Sequence, residues 1–358
     1  MTTRKAVAIS TALLLNSLTI FSQSTDSSQK DNAVPARIAF VPRLSTQGKA
    51  DAQTTSNFSF NILGGNTGSV NGVEIGGLFN IDRKNVQYVQ VAGLFNTVGG
   101  NVTGVQVGGI YNTVAGNVTG VQVSGIYNHA GQKLNGVQVA GIGNYSREIV
   151  KGIQVAGISN ISNRGTTGLQ VSGIFNYAKH LRGLQVGLIN IADTSSGFSI
   201  GLINVVAKGY HKLSLYTNEV LNMNIAYKSG NPKLYNIILA GINAGTDEKV
   251  FSYGYGLGHE IKLGKTVTLN PEITTQYVYL GNWHYLNLLS RAQLTASIKL
   301  TKNVALFGGP AFSAYYTDQI NAVHGYKFRL PSGNYSTYKL WNNNTTGWIG
   351  WTAGISFF

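Results

Sequence analysis

The sequence contains no cysteine. That excludes disulfides, thiolate metal sites, a cysteine nucleophile and a lipid-modified amino-terminal cysteine. Charge is scarce at 11% of residues, and acidic groups are scarcer still, 13 against 27 basic ones. Six prolines stand against 45 glycines, which suits tight β turns and not a disordered chain. Apart from the amino terminus no stretch approaches a transmembrane helix, and a mean hydropathy of +0.02 is too polar for a bundle of such helices. No phosphate-loop motif occurs, and no helix follows the glycines to supply an anion site. The six histidines (129, 180, 211, 259, 284 and 324) show no metal-ligand spacing. No metal and no cofactor is expected.

What the chain does have is a phrase that returns. Gly-Val-Gln-Val-Gly-Gly-Ile-Tyr-Asn runs from Gly104 to Asn112 and recurs, with Ser124 for one glycine, at Gly120 to Asn128. Gly72, Tyr88, Gly104, Gly120, Gly136, Gly152 and Gly168 open copies 16 residues apart, Gly183 and Gly197 open shortened ones, and each copy closes on asparagine. A fixed period with fixed residue types is the mark of a repeat architecture. Within a copy the residues alternate, and two or three glycines with β-branched neighbours oppose helix, so the unit is strand. The stretch between phrases is polar and carries nearly all the charge of the region, including Lys133, Arg147, Lys151, Arg164, Lys179 and Arg182.

Two architectures fit. Stacked coils of a β-solenoid explain why residue identity, and not polarity alone, recurs at each position; Gly108-Gly109 is then a corner and the closing asparagine a buried or turn ladder. Alternatively each copy is one strand of a barrel meander. The solenoid is favoured for the constant identity.

The fold class is therefore all-β, in the following order. Residues 1–22 read as a secretory signal: Arg4 and Lys5, then an apolar run to Phe21. Residues 23–56 read as a flexible linker, 57–206 as the glycine-rich β-repeat region, and 207–358 as an outer-membrane-type antiparallel β-barrel of about eight strands. The barrel rests on long alternating runs. Phe251, Tyr253, Tyr255, Leu257 and Ile261 share one face, with Ser252, Gly254, Gly256 and Glu260 on the other. The chain ends on an aromatic strand, Phe357-Phe358, like the carboxyl-terminal strand of outer-membrane barrels.

The recurring Gly-Leu-Gln-Val-x-Gly-Leu/Ile-x-Asn phrase resembles that of bacterial surface-repeat proteins. The passage Gly209 to Gly230 looks like the joint that follows such repeats. The resemblance covers residues 72 to 230 and, more loosely, the remainder. It implies a cell-envelope address and brings no activity with it.

Candidate sites follow from the barrel. Glu260, Glu272, Arg291 and Lys299 are expected to meet inside it, neutralising one another. The long connection Thr317 to Thr346 offers Tyr326, Lys327, Arg329, Tyr335, Tyr338 and Trp341 as exposed contacts. No catalytic residue is expected, because His259 and Glu260 are strand neighbours and face opposite sides.

The first functional expectation is a non-enzymatic outer-membrane or surface protein, in which a barrel anchors a repeat module serving as scaffold, adhesion or interaction surface. The second is a single porin-like barrel of about 18 strands. The third is a lipid-acting barrel enzyme with a histidine at the membrane rim. The partners expected are outer-membrane lipid and another envelope protein or surface ligand. Nucleic acid is rejected despite a net charge of +14, because the basic residues form no compact patch.

Overall fold

The computed structural model describes residues 32–245, 248–331, 334–340 and 344–358; the expected signal and the first part of the expected linker lie outside them. Two β-structures follow one another in the chain, a parallel solenoid and a closed antiparallel barrel.

Each solenoid coil contributes a longer strand, such as Val102–Gly108, and a short one, such as Tyr111–Val114. Each pairs in parallel with its equivalent one repeat away: Val105 lies against Val89 and Val121, and Asn112 against Asn96 and Asn128. This pairing overturns the single large barrel, since strands of an up-and-down meander pair antiparallel with their sequence neighbours. The corner falls at Gly109-Ile110, one residue beyond the expected place.

The interior inverts the usual order. Gln106, Gln122, Gln138, Gln154, Gln170 and Gln185 are buried, each Nε2 donating to the preceding coil's glutamine at 2.7–2.9 Å. The closing asparagines form a second ladder of opposite polarity. From Asn80 to Asn190 each Nδ2 donates to the Oδ1 one coil later at 2.8–3.0 Å, and Asn61, outside that column, donates to Asn80 at 2.7 Å. The same Nδ2 groups bond a strand carbonyl of the following coil just before its corner, as Asn112 does to Val123 O at 2.7 Å. Only a side chain that accepts along the stack while donating twice fills this position, which is why asparagine recurs. An aliphatic stack of Val102, Val118, Leu134 and Val150 packs beside the amides.

Two glycine columns make the stacking possible. A Cβ on Gly125 would lie 2.2 Å from the Gly109 carbonyl oxygen of the coil before. Gly104, Gly120, Gly136, Gly152 and Gly168 hold φ between +130° and +145°, where side chains are strained; Tyr88, in the same column, sits at φ +68° instead.

The valines and isoleucines of the phrase itself lie outside. Ile38, Phe60, Ile75, Val91, Val107, Val123, Val139, Val155, Val171, Val186 and Ile200 form one continuous outer row. The corner adds Leu94, Ile110, Ile126, Ile142, Ile158, Ile174, Leu188 and Leu202, all exposed. At the opposite edge, in the turns between phrases, are Arg83, Lys84, Lys133, Arg147, Glu148 and Arg164.

The amino-terminal end departs from the expected linker. Asn32–Val41 is a strand that pairs in parallel with Thr54–Asn61, and the 3-10 turn Gly48–Gln53 folds beneath it. The buried Arg37 guanidinium bonds both Asp51 oxygens at 2.5 and 2.6 Å and donates to Ser59 Oγ and Asn61 Oδ1. A buried cation needs such partners, and they fix the segment.

The barrel strands are Tyr210–Asn218, Met223–Asn231, Leu234–Ile242, Phe251–Gly258, Val267–Tyr279, Asn287–Lys299, Val304–Thr317 and Thr345–Phe357, and the last pairs back on the first to close the wall. The first four strands have eight or nine residues and the last four 13 or 14, so one side of the wall is short. Outward side chains are mainly apolar, among them Leu215, Ile225, Tyr253, Ile273, Leu294 and Ile349, all exposed.

Candidate functional site

The barrel lumen holds three separate ion pairs. Near the solenoid end, where the barrel's first strand begins and its last ends, Lys212 Nζ meets Glu260 Oε2 at 2.6 Å. Further in, Lys228 pairs with Glu272, which also accepts from Tyr235 Oη at 2.7 Å and from Gln293 Nε2 at 2.6 Å. Toward the far end, Arg291 Nη2 meets Glu219 Oε2 at 3.0 Å, and Glu219 accepts from Ser313 Oγ and Trp348 Nε1, each at 3.0 Å. Of the four charges expected to cluster, Glu260, Glu272 and Arg291 thus point inward to different partners. Lys299 lies over the Phe358 ring, 5.4 Å from its centroid.

Lys212, Lys228 and Glu219 are the partners that sequence reasoning missed. The two lysines had a readable signal, being in phase with the inward Ser214, Asn224 and Ala226 of their strands. Glu219 follows the first strand in a turn, where alternation carries no information.

Little free space remains. A cavity of about 10 Å³ lies between Tyr216, Lys228, Ile237, Glu272 and Phe307. Beyond it Val220, Leu221, Leu280, Leu289, Tyr315, Leu330 and Trp348 form a buried apolar cluster that fills the far end. Among the described residues the lumen is packed, not open.

The long loop takes part in that closure. Leu330 belongs to the cluster, and Tyr335 packs against it while its hydroxyl accepts from Trp351 Nε1 at 3.1 Å. Lys327 is buried and its backbone bonds Lys249, and Tyr326 packs edge-on to Tyr279. Arg329 and Tyr338 alone among the expected contacts are exposed; Trp341 lies outside the described residues. The loop is more packed than displayed: Leu330 helps fill the far end, while Tyr326, Tyr335 and Tyr338 lie against Tyr279, Trp351 and Phe312 of the wall.

His259 and Glu260 are not partners. The His259 Nδ1 lies 2.7 Å from the Lys233 carbonyl oxygen, whereas Glu260 points inward to Lys212. On the outer wall the ladder of the sixth and seventh strands has a gap at Pro310, its pairing skipping from Gln293↔Ala311 to Ala296↔Gly308 in the same register. An open groove of about 1110 Å³, lined by Leu257, Ile273, Leu294, Phe312 and Ile349, lies there.

The junction is the second constructed feature. Carbonyls on the last coil's open edge have no following coil, and the barrel's outer wall supplies donors instead. Asn231 Nδ2 donates to the Gly197 carbonyl, and Tyr255 Oη to the Gly201 carbonyl at 2.7 Å. The His211 Nε2 lies 2.7 Å from the Val206 carbonyl, and the Asn236 amide, turned nitrogen-first, donates to the Asn204 carbonyl at 3.0 Å. Asn231, Asn236 and Tyr255 stand on outward positions, so the coil caps the short side of the wall.

Within the solenoid two titratable groups are displaced. Burial raises the Asp82 carboxyl well above its ordinary value, and the neighbouring Glu74 carboxylate adds to the effect. Burial lowers the His129 imidazole to about 4, helped by the Arg147 charge. Asp82, Glu74 and Gln90 form the first rung of the glutamine ladder, so the Asp82 shift reports the dry, polar interior; His129 lies on the outer face, stacked on Tyr145 at 5.2 Å. No group of acidic or histidine side chains that could hold a metal ion occurs among the described residues. No family model, curated protein or solved structure matches this chain.

Proposed function

We propose that this is a non-enzymatic bacterial outer-membrane protein whose sealed barrel is an anchor and whose solenoid is a scaffold held on the periplasmic side. The observation that carries the reading is the union of an apolar outer wall, a packed lumen and a solenoid bonded to the wall by its last coil. Outer-membrane barrels cross with apolar-out strands, place short turns in the periplasm and longer loops outside. Here the connections 232–233 and 300–303 lie at the solenoid end and the connection 318–344 at the other. The resemblance of the repeated phrase to bacterial surface-repeat proteins supports the envelope address. The fixed junction and regular outer rows suit a rigid module that presents one surface over many repeats, with envelope lipid and another envelope protein as its partners.

The missing cysteines make the test direct. Arg329→Cys in the long loop and Lys133→Cys in a solenoid turn, each alone, are treated on intact cells with a membrane-impermeant maleimide. The reading requires Arg329→Cys to label at once and Lys133→Cys only after the outer membrane is opened. Labelling of Lys133→Cys on intact cells would place the solenoid outside and overturn the orientation.

A further inference from the structure

We infer that the solenoid lies along the inner leaflet of the membrane that holds the barrel, with its Leu/Ile corner in contact with phospholipid acyl chains. The inference rests on the reading of the barrel as membrane-spanning and adds a lipid-binding surface to it.

Three observations carry it. The first is segregation around the coil. From Val105 to Thr113, and in the same arc of the other coils from Val73 to Val205, the only charged residue is Glu74, which is fully buried. The outer rows of this arc run the length of the solenoid, about ten steps of roughly 4.8 Å, or on the order of 50 Å. Soluble monomers rarely expose a contiguous apolar surface of that extent.

The second is the direction of the solenoid. Its final carbonyls, which point along the stack, meet side chains of the barrel's outer wall. The stack therefore runs into the wall from the side, and the solenoid extends away from the barrel along the membrane plane.

The third is its roll. Asn231, at the short turn itself, holds Gly197 at the polar edge of the coil. Tyr255, level with Ile238 in the wall, holds Gly201 at the apolar corner. Ile238 is four residues past Leu234, about 13 Å up the wall at roughly 3.3 Å per residue. The corner is thus turned toward the apolar belt, where Tyr253 and Phe251 continue upward, and the charged edge toward the aqueous side. A second chain could cover the same rows, but nothing in that arrangement would require the roll to match the belt. Each exposed row alone would favour lipid contact through burial of apolar area at about 25 cal/mol per Å².

The test uses single-cysteine forms of the full chain, labelled with an environment-sensitive fluorophore and reconstituted in phosphatidylethanolamine/phosphatidylglycerol vesicles with or without acyl-chain spin-labelled lipid. Ile126→Cys and Ile158→Cys report the corner, Lys133→Cys and Arg164→Cys the opposite edge, and Ile349→Cys the barrel belt. We expect the corner labels to shift to the blue and lose most of their emission to the spin label, as the belt label does, while the two edge labels keep theirs. Unquenched corner labels beside a quenched belt label overturn the inference and leave the barrel reading intact. An unquenched belt label overturns both. Corner labels that shift only as protein density in the vesicle rises, without lipid quenching, show a second copy on this face and likewise overturn it.

Discussion

Replacing Gln122 by methionine tests whether the amide ladder, and not the outer rows, holds the solenoid together. The side chain keeps nearly the same shape, so the change is chemical. Its Nε2 donates to Gln106 Oε1 at 2.7 Å, and its Oε1 accepts from Gln138 Nε2 at 2.7 Å. Methionine removes both bonds and leaves one orphan acceptor and one orphan donor, in residues that are fully buried. An unpaired buried polar group costs about 1–3 kcal/mol, so the pair costs about 2–6 kcal/mol. The more favourable transfer of methionine offsets roughly 1 kcal/mol of that. A repeat array opens locally, so the loss should appear as faster amide exchange over residues 104–144 while the barrel is unchanged. Hydrogen–deuterium exchange by mass spectrometry on the micelle-bound protein reads this directly, with Thr119→Met, on the exposed outer side, as the control. Exchange in Gln122→Met no faster than in the control would refute a dry, hydrogen-bonded interior.

Three other outcomes follow from the same geometry. Gly125→Ala should destabilise by about 1–3 kcal/mol or more, because its Cβ meets the Gly109 carbonyl oxygen at 2.2 Å and backbone must move; urea unfolding measures it. The raised Asp82 carboxyl takes up a proton on folding, so its contribution is most favourable in acid and weakens as pH rises above the unfolded carboxylate value. Asp82→Asn should therefore gain stability at neutral pH, and its difference from the native protein should shrink toward acid. His129, lowered to about 4, behaves in the opposite sense: stability is complete above its unfolded value and is lost as pH falls toward about 4. The loss is on the order of 3 kcal/mol in total, and His129→Gln should flatten that limb of the unfolding profile.

The repeated phrase determined much of this protein by itself. Its period, its alternation and its glycines specify strand-built repeat units and favour stacking without excluding a meander, and the long apolar/polar runs after residue 209 specify eight strands with their inward and outward faces, because both are local properties of the backbone. The expected strand 265–280 and the observed Val267–Tyr279 differ only at their ends. Alternation, however, defines two faces without saying which is inside. The phrase's own Val121 and Val123 would be placed there on transfer free energy alone, yet Gln122 and Asn112 share the interior with Val102 and Val118. Their amides are satisfied only by the next coil's amide, an interaction that exists after stacking and not before. Tertiary structure alone also decided the fate of Arg37 and Asp51, whose pairing folds an apparent linker into a cap, and of Glu219, a turn residue that reaches Arg291 across the lumen. The same holds for Asn231, Asn236 and Tyr255. In sequence Asn231 and Asn236 are polar residues beside a hairpin turn and Tyr255 is one ring of an apolar face; in space they complete the open edge of another structure, because unpaired carbonyls must find donors wherever the chain brings them.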